Sequence, residues 1–198
     1  MDSEIKVMET LDRRDIDEIE KIEKRLYKDR ALTVDILVPA ANFLGFITIA
    51  KTSKIVGYTV FLSTTNKNQM YCAALTVLPE YRKQGIATRL LEHGEKKCME
   101  LGIDSLIATA NPKNIASCKT FLNRRNWYVI KLYKNFYRDG LNSFLFKKDL
   151  TKRRIKFSDK VVIDLNSTEQ IISMLNKGYY GTRIIDNEKI QLQKVLGE

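Results

Sequence analysis

The segment Val77-Leu78-Pro79-Glu80-Tyr81-Arg82-Lys83-Gln84-Gly85-Ile86-Ala87-Thr88 puts a strand stop, two cations and a glycine ahead of an amphipathic stretch. Pro79 ends the apolar run before it, Gly85 permits a ligand to approach the backbone, and Ile86, Leu90, Leu91 and Cys98 recur at roughly helical spacing. A helix beginning here aims its free N–H groups into the loop. Together with the helix dipole, Arg82 and Lys83, those groups favour a diphosphate or similar anion without any metal. A Walker loop needs Gly-x-x-x-x-Gly-Lys-Ser/Thr and a dinucleotide turn needs Gly-x-Gly-x-x-Gly; this segment is neither. The three cysteines, Cys72, Cys98 and Cys118, have no metal-ligand spacing and read as reduced thiols in a core.

The elements that must hold this loop follow from pattern. Ile5 to Leu11 alternates like a strand, and Asp12 or Asp15 is placed to cap a helix striped by Ile16, Ile19, Ile22 and Leu26, with Glu23 on the same stripe. Residues 30–44 read as an irregular helical or loop segment containing Pro39. Phe46 to Ala50, Ile55 to Leu62 and Met70 to Val77, separated by short polar turns, predict an antiparallel meander. After the helix that ends near Gly102, Ser105 to Ala110 predicts a strand and Pro112 or Asn114 opens another helix. Trp127 to Leu132 and Ser143 to Leu150 predict a strand pair.

Written as a pattern, Arg82-x-x-Gly85-x-Ala87 resembles the acyl-CoA signature Gln/Arg-x-x-Gly-x-Gly/Ala of the GNAT superfamily of N-acyltransferases, in which Pro-Glu-Tyr-Arg, here Pro79 to Arg82, often follows the strand. The order strand, helix, helical segment, three strands, helix, strand, helix, two strands is similar to the whole of that fold across about residues 4–150. Asn111-Pro-Lys-Asn-Ile-Ala-Ser-Cys-Lys-Thr-Phe-Leu122 resembles the family's second cofactor-side motif, and Lys134 to Leu150 its closing hairpin. The resemblance implies an α/β (α+β) fold with a mixed central sheet flanked by helices, in a transferase domain of residues 1–150 and a C-terminal extension of residues 151–198. It implies an N-acetyltransferase that moves an acetyl group from acetyl-CoA to an amine by direct transfer in a ternary complex. Leu75, Thr76 and Val77 would pair with the pantetheine arm through their backbone. Arg82, Lys83, Gln84, Gly85, Ile86, Ala87 and Thr88 would hold the diphosphate. Asn114 and Ser117 would lie beside the pantetheine or the thiol, and Lys113 or Lys119 would meet the remaining phosphate. No metal is expected.

This chain departs from the family at the leaving-group acid. Members commonly carry a Tyr followed by Gly-Phe in the second helix; here Phe121 falls near the Tyr position and Asn126-Trp127 replaces Gly-Phe. Tyr128, Tyr133 and Tyr137 are alternative hydroxyls, each more simply a packing aromatic. If no side-chain acid replaces the Tyr, Phe121→Tyr should be tolerated. Many relatives place a carboxylate on the central strand, but Met70 to Val77 has none. Asp15, Glu18, Glu23 and Asp35 are candidate bases as a group, against the simpler reading of a solvated helix face. Glu80 and His93 read as structural, and Cys72 as a buried thiol rather than an acyl carrier. The catalytic residues are therefore unassigned.

The 198 residues suit one domain of usual size with a small appendage, and the acidic start Met-Asp-Ser-Glu has no apolar core. With 44% apolar residues and no bilayer-length run, a soluble, cytoplasmic protein without membrane partners is expected. The first 50 residues hold 8 Lys and Arg against 11 Asp and Glu; the rest hold 26 against 13, giving a net charge of +10. Positive potential suits a polyphosphate cofactor, while the acidic first quarter favours a cationic acceptor, small molecule or protein. A different class stands beside the enzyme: a noncatalytic acyl-CoA sensor or basic nucleic-acid-binding module on the same fold, although nucleic acid is not the expected partner. In the tail, Lys152 to Lys156 is a basic connector, Val161 to Leu165 predicts a strand and Ser167 a cap for the helix Thr168 to Lys177. Ile184-Ile185 and Ile190 to Leu196 add one or two elements. This tail either packs on the catalytic domain or completes an oligomer, a homodimer being the simplest.

Overall fold

The structure, a computed structural model, describes residues 4–10, 12–28, 31–125, 127–136, 140–151 and 155–196, with the side chains of residues 123–125 left aside. The described residues form a mixed α/β fold of ten strands and five α-helices, in two compact units, Met1–Asp104 and Ser105–Glu198.

In the first unit, β1 (Lys6–Thr10), β2 (Gly45–Lys51), β3 (Ile55–Ser63) and β4 (Gln69–Val77) pair antiparallel in that order. Asp12 caps α1 (Arg13–Tyr27) by accepting from Arg14 N–H at 2.8 Å. Asp15, the other candidate cap, is buried instead and accepts from Thr10 Oγ1 and Lys51 Nζ. The segment read as irregular forms α2 (Val34–Pro39), which runs on into a π-helical turn, Ala40–Leu44. Ile16, Ile19 and Ile22 of α1 pack with Leu37, Ile47, Ile49, Ile55, Tyr58 and Val60. A separate cluster joins Ala50 and Val56 to Ile86 and Leu90 of α3 (Ile86–Glu100). The period-2 alternation of β2 and β3 thus feeds two helix-bearing faces. Gly94 of α3 faces the Phe61 ring so closely that a Cβ would lie 2.2 Å from Cε2, so the helix can approach there only as glycine. The β3–β4 register slips between Val60 and Phe61 of β3, leaving Ala73 of β4 as the extra residue of a bulge.

The second unit orders its strands β5 (Ser105–Ala110), β7 (Ser143–Asp149), β6 (Tyr128–Tyr133), β9 (Tyr179–Ile185), β10 (Lys189–Val195) and β8 (Phe157–Asp164), each antiparallel to its neighbours within the unit. Its core joins Phe121 of α4 (Ile115–Arg125) to Trp127 and Phe146 at ring distances of 4.9 and 5.0 Å. The chain beyond residue 150 is part of this unit. It supplies β8, α5 (Thr168–Asn176), β9 and β10, with Ile171, Leu175, Ile184, Ile190 and Leu192 buried. Val129 pairs with Gly181, where a Cβ would lie 2.8 Å from that of Val129, so β6 and β9 meet closely only because the residue is glycine. Ser167 precedes α5 without a side-chain cap bond, and Gly178, at φ +81°, ends the turn after it. Of the basic connector, Lys152, Arg153 and Arg154 lie outside the described residues.

Candidate active site

The loop after β4 is held by its own backbone. Leu78 is buried and its N–H donates to Val56 O at 2.9 Å, tying the loop's start to β3. Tyr81 N–H donates to Leu78 O and Arg82 N–H to Pro79 O, closing a single turn, Pro79–Tyr81. Arg82 Nε donates back to Val77 O at 3.0 Å, so the guanidinium spans that turn from an exposed position. Lys83 and Gly85 then take left-handed backbone, φ +62° and +76°. No atom lies within 4 Å of a Cβ built on Gly85, so open space faces this residue and its dihedral, not crowding, calls for glycine.

Gly85 is also where α3 begins. No side chain caps the helix, and its first backbone bond runs from Arg89 N–H to Gly85 O at 3.0 Å. The amides of Ile86, Ala87 and Thr88 precede that bond, as the opening donors of any helix do. Burial of Ile86 and Leu90 against Ala50 and Val56 fixes where those amides point. With Arg82, Lys83, Gln84 and Gly85 exposed beside them, the opening of α3 presents the donors and cations that an anion would need. Upstream, Leu75 and Val77 pack toward the α3 cluster. Thr76, between them, is buried with its hydroxyl 3.0 Å from that of Tyr27.

Asn114 and Ser117 belong to the second unit. Asn111 Oδ1 accepts from Lys113 N–H at 2.8 Å, and Asn114 Oδ1 accepts from Ser117 N–H at 3.2 Å, which caps α4 from its own sequence. Lys113 is exposed and Lys119 half-buried. Phe121 is buried against Trp127 and Phe146, so tolerance of Phe121→Tyr carries a packing cost that the expectation from sequence did not include. Tyr128 is half-buried beside Phe157 and Tyr180, its phenol pushed up by burial. Tyr133 packs against Phe136 under Lys131. Tyr137 and Asn126 lie outside the described residues.

The acidic candidates separate by surroundings. Glu18 accepts from Ile55 N–H, and Asp35 is exposed. Glu23 is 2% exposed, accepting from Tyr58 Oη on one carboxylate oxygen and from Leu32 N–H at 2.7 Å on the other. Burial pushes its carboxyl above the ordinary range, against the pull of those two donors. Glu80 faces Arg25 and His93 faces Glu9, each at 3.9 Å, as surface pairs. Cys72 is buried, its thiol pushed up to about 12 by desolvation, which suppresses the thiolate an acyl carrier needs. Tyr27 and Tyr58 were not singled out from sequence. A Tyr closing α1 and a Tyr alternating within β3 each look like packing residues until the fold brings them to Glu23 and Thr76. Among the described residues, no three His, Cys, Asp or Glu side chains group to hold a metal ion, and no helix is long and apolar enough to cross a membrane.

Comparison with solved structures finds the fold repeatedly. The ribosomal-protein-S18-alanine N-acetyltransferase from Escherichia coli superposes with a TM-score of 0.66 at 14% identity, covering 76% of this chain and 97% of its own. The NatC complex, solved with Gag peptide and CoA, gives 0.67 at 18% identity over 75% and 99%. The protein yncA from Salmonella typhimurium, solved with its cofactor acetyl-CoA, gives 0.64 at 18% over 79% and 100%. At the level of sequence, residues 8–126, more than half of the chain, match the acetyltransferase (GNAT) family, and the chain belongs to that family.

Proposed function

We propose that the protein is an N-acetyltransferase that moves the acetyl group of acetyl-CoA to an amine by direct transfer, with both substrates bound together. The observation that carries this reading is the opening of α3, whose first amides, uncapped by any side chain, stand beside Arg82, Lys83 and an open-faced Gly85. In this reading Arg82 to Thr88 hold the diphosphate and the backbone of Leu75, Thr76 and Val77 holds the pantetheine arm. Asn114 and Ser117 lie beside the pantetheine or the thiol. Similar folds solved with CoA and with acetyl-CoA support the choice of donor.

The donor supplies an activated thioester. The chain supplies position, a polarising N–H for the carbonyl that becomes an oxyanion, and a route for the ammonium proton. An acyl-cysteine relay is disfavoured, since Cys72 is buried with a thiol that resists ionisation. We assign the reaction to residues 1–150, with residues 151–198 as an extension that buttresses β6 through β9. The three buried free cysteines, Cys72, Cys98 and Cys118, fit a reducing, cytoplasmic setting. The acceptor class is an amine, small molecule or protein.

Thiol release from acetyl-CoA across a panel of amines tests the reading. Turnover with at least one amine, with intersecting double-reciprocal lines, is expected; a chain that binds acetyl-CoA and acetylates nothing would be an acyl-CoA sensor instead.

A further inference from the structure

The sheet of the second unit ends on an open edge. β8 pairs with β10 on one side, and no strand among the described residues pairs with its other side. Which groups face that open side follows from the ladder. Leu165 N–H donates to Glu188 O at 2.7 Å and Leu196 N–H to Lys156 O at 3.0 Å, so the even-numbered residues along β10 turn toward β8. Their partners on β8, Val161 opposite Leu192 and Ile163 opposite Ile190, turn inward to meet them. Lys160, Val162 and Asp164 therefore point their N–H and C=O groups away from the sheet. All three are exposed, Val162 at 48%.

We propose that β8 is the surface through which two copies of this chain dimerise, edge to edge and antiparallel, with Val162 of one copy opposite Val162 of the other. The inference is independent of the acetyl transfer proposed above. In a two-fold pair each contact occurs twice, so this register sets Lys160 opposite Asp164 at both ends and Val161 opposite Ile163 between them. The alternatives are few, because only outward-facing residues can meet as hydrogen-bonded pairs. A slip by one pair of residues sets Lys160 opposite Val162, or Val162 opposite Asp164; the next slip sets Lys160 on Lys160, or Asp164 on Asp164. Only the register centred on Val162 matches charge with opposite charge, so the ions that blunt this edge toward other strands select its own copy.

The backbone and both faces of the strand agree with this register. Val162 exchanges N–H and C=O bonds with its copy across the axis, and Asp164 N–H donates to Lys160 O on either side of it. Asp164 O is already engaged, accepting from Ser167 N–H at 3.0 Å, and Asp164 Oδ1 accepts from Asn166 N–H at 2.7 Å. The turn after β8 thus holds Asp164 in place for Lys160. On the opposite face, Val161 and Ile163 are half-buried beside Leu192 and Ile190, which are fully buried. Pairing the two edges continues that apolar face from one copy into the other. The regular stretch stops at Lys160, since the β8–β10 register slips between Lys160 and Phe157.

Sedimentation of the full chain over a range of concentrations tests the pairing. Wild type should be dimeric at about 100 μM and dissociate on dilution, as a contact below the standard interface size does. Lys160→Asp and Asp164→Lys each set like charges opposite one another in both ion pairs, so either one alone should weaken the dimer at least about tenfold. Mixed in equal amounts, the two variants should form a heterodimer within a few fold of wild-type affinity, because every ion pair is then Asp against Lys. Val162→Pro removes an N–H that the chain's own sheet does not use, and it should stay folded and become monomeric. If Asp164→Lys loses its fold along with the bond to Asn166, Lys160→Asp and Val162→Pro decide the matter. A wild type that is monomeric at that concentration, a dimer that survives Lys160→Asp or Val162→Pro, or two folded charge variants that stay apart when mixed would overturn the proposal.

Discussion

Helices α3 and α4 each follow a strand by a short loop, yet they open in opposite ways. α3 starts at Gly85 with no side-chain cap, while α4 starts with Asn114 Oδ1 already accepting from Ser117 N–H at 3.2 Å. Near Asn114 the loop satisfies itself further, as Asn111 Oδ1 accepts from Lys113 N–H and Asn111 O from Asn114 N–H. A helix end can be spent on its own stability or left for a ligand. The contrast favours the opening of α3 over that of α4 as the place an anion would bind, since Asn114 is already tied down by folding.

The comparison is sharpened most strongly at the inner face of α4. Phe121→Ala should cost about 3–5 kcal/mol, as truncation of a buried aromatic does, and urea unfolding should show it. Phe121→Tyr should cost about 1–3 kcal/mol, the usual penalty for a buried hydroxyl lacking a partner, with no gain in turnover. If Phe121→Tyr were neutral in stability, the aromatic cluster of Phe121, Trp127 and Phe146 would be looser than described. Next comes the cap itself. Asn114→Ala should lower stability by about 1 kcal/mol while Asn114→Asp restores most of it, with CoA affinity changing less than tenfold in either. A much larger loss of CoA affinity would move the weight of cofactor binding toward α4.

Stability against pH reads the buried carboxylate of the first unit. Because the folded state holds the Glu23 proton more tightly than the unfolded chain, its contribution is fully present below the unfolded carboxylate pKa and is lost as the pH rises through the raised folded value. The stability of wild type relative to Glu23→Gln should therefore fall as the pH climbs from about 4 toward neutrality, measured by chemical unfolding at each pH. A gap that widens with pH would mean that the hydrogen bonds from Tyr58 and Leu32 outweigh burial. The smallest effect is expected at Cys72. Cys72→Ala should keep turnover within a few fold of wild type and leave the double-reciprocal lines intersecting. Parallel lines, with acetylated Cys72 trapped in the absence of amine, would replace direct transfer by an acyl-enzyme.

The loop that opens α3 was legible in the sequence because it is local. Pro79, Arg82, Lys83 and Gly85 act on backbone within a few residues of themselves, so their order alone describes the loop. The three meander strands and both helix stripes were legible for a similar reason, since apolar period follows from which face is buried. The pairs Glu23–Tyr58 and Tyr27–Thr76 were not. Their residues are spread from position 23 to 76 and meet only through the packing of α1 on β3 and β4, so each looks like an ordinary stripe or strand residue. The tail was half legible. Its helix and strands follow from pattern, but the contact of Val129 with Gly181 depends on a missing side chain, which no periodicity reports.

Calorimetric titration of CoA and of pantetheine, which lacks the diphosphate, into wild type and Gly85→Glu tests the opening of α3 most directly. The new side chain meets no protein atom but enters the space assigned to the anion, at a cost of about 1–2 kcal/mol for its left-handed backbone. Wild type should bind CoA at least a hundredfold more tightly than pantetheine, about 2.7 kcal/mol, and Gly85→Glu should erase that difference while remaining folded. A folded Gly85→Glu that keeps wild-type affinity for CoA, or a wild type that binds pantetheine as tightly as CoA, would contradict the account.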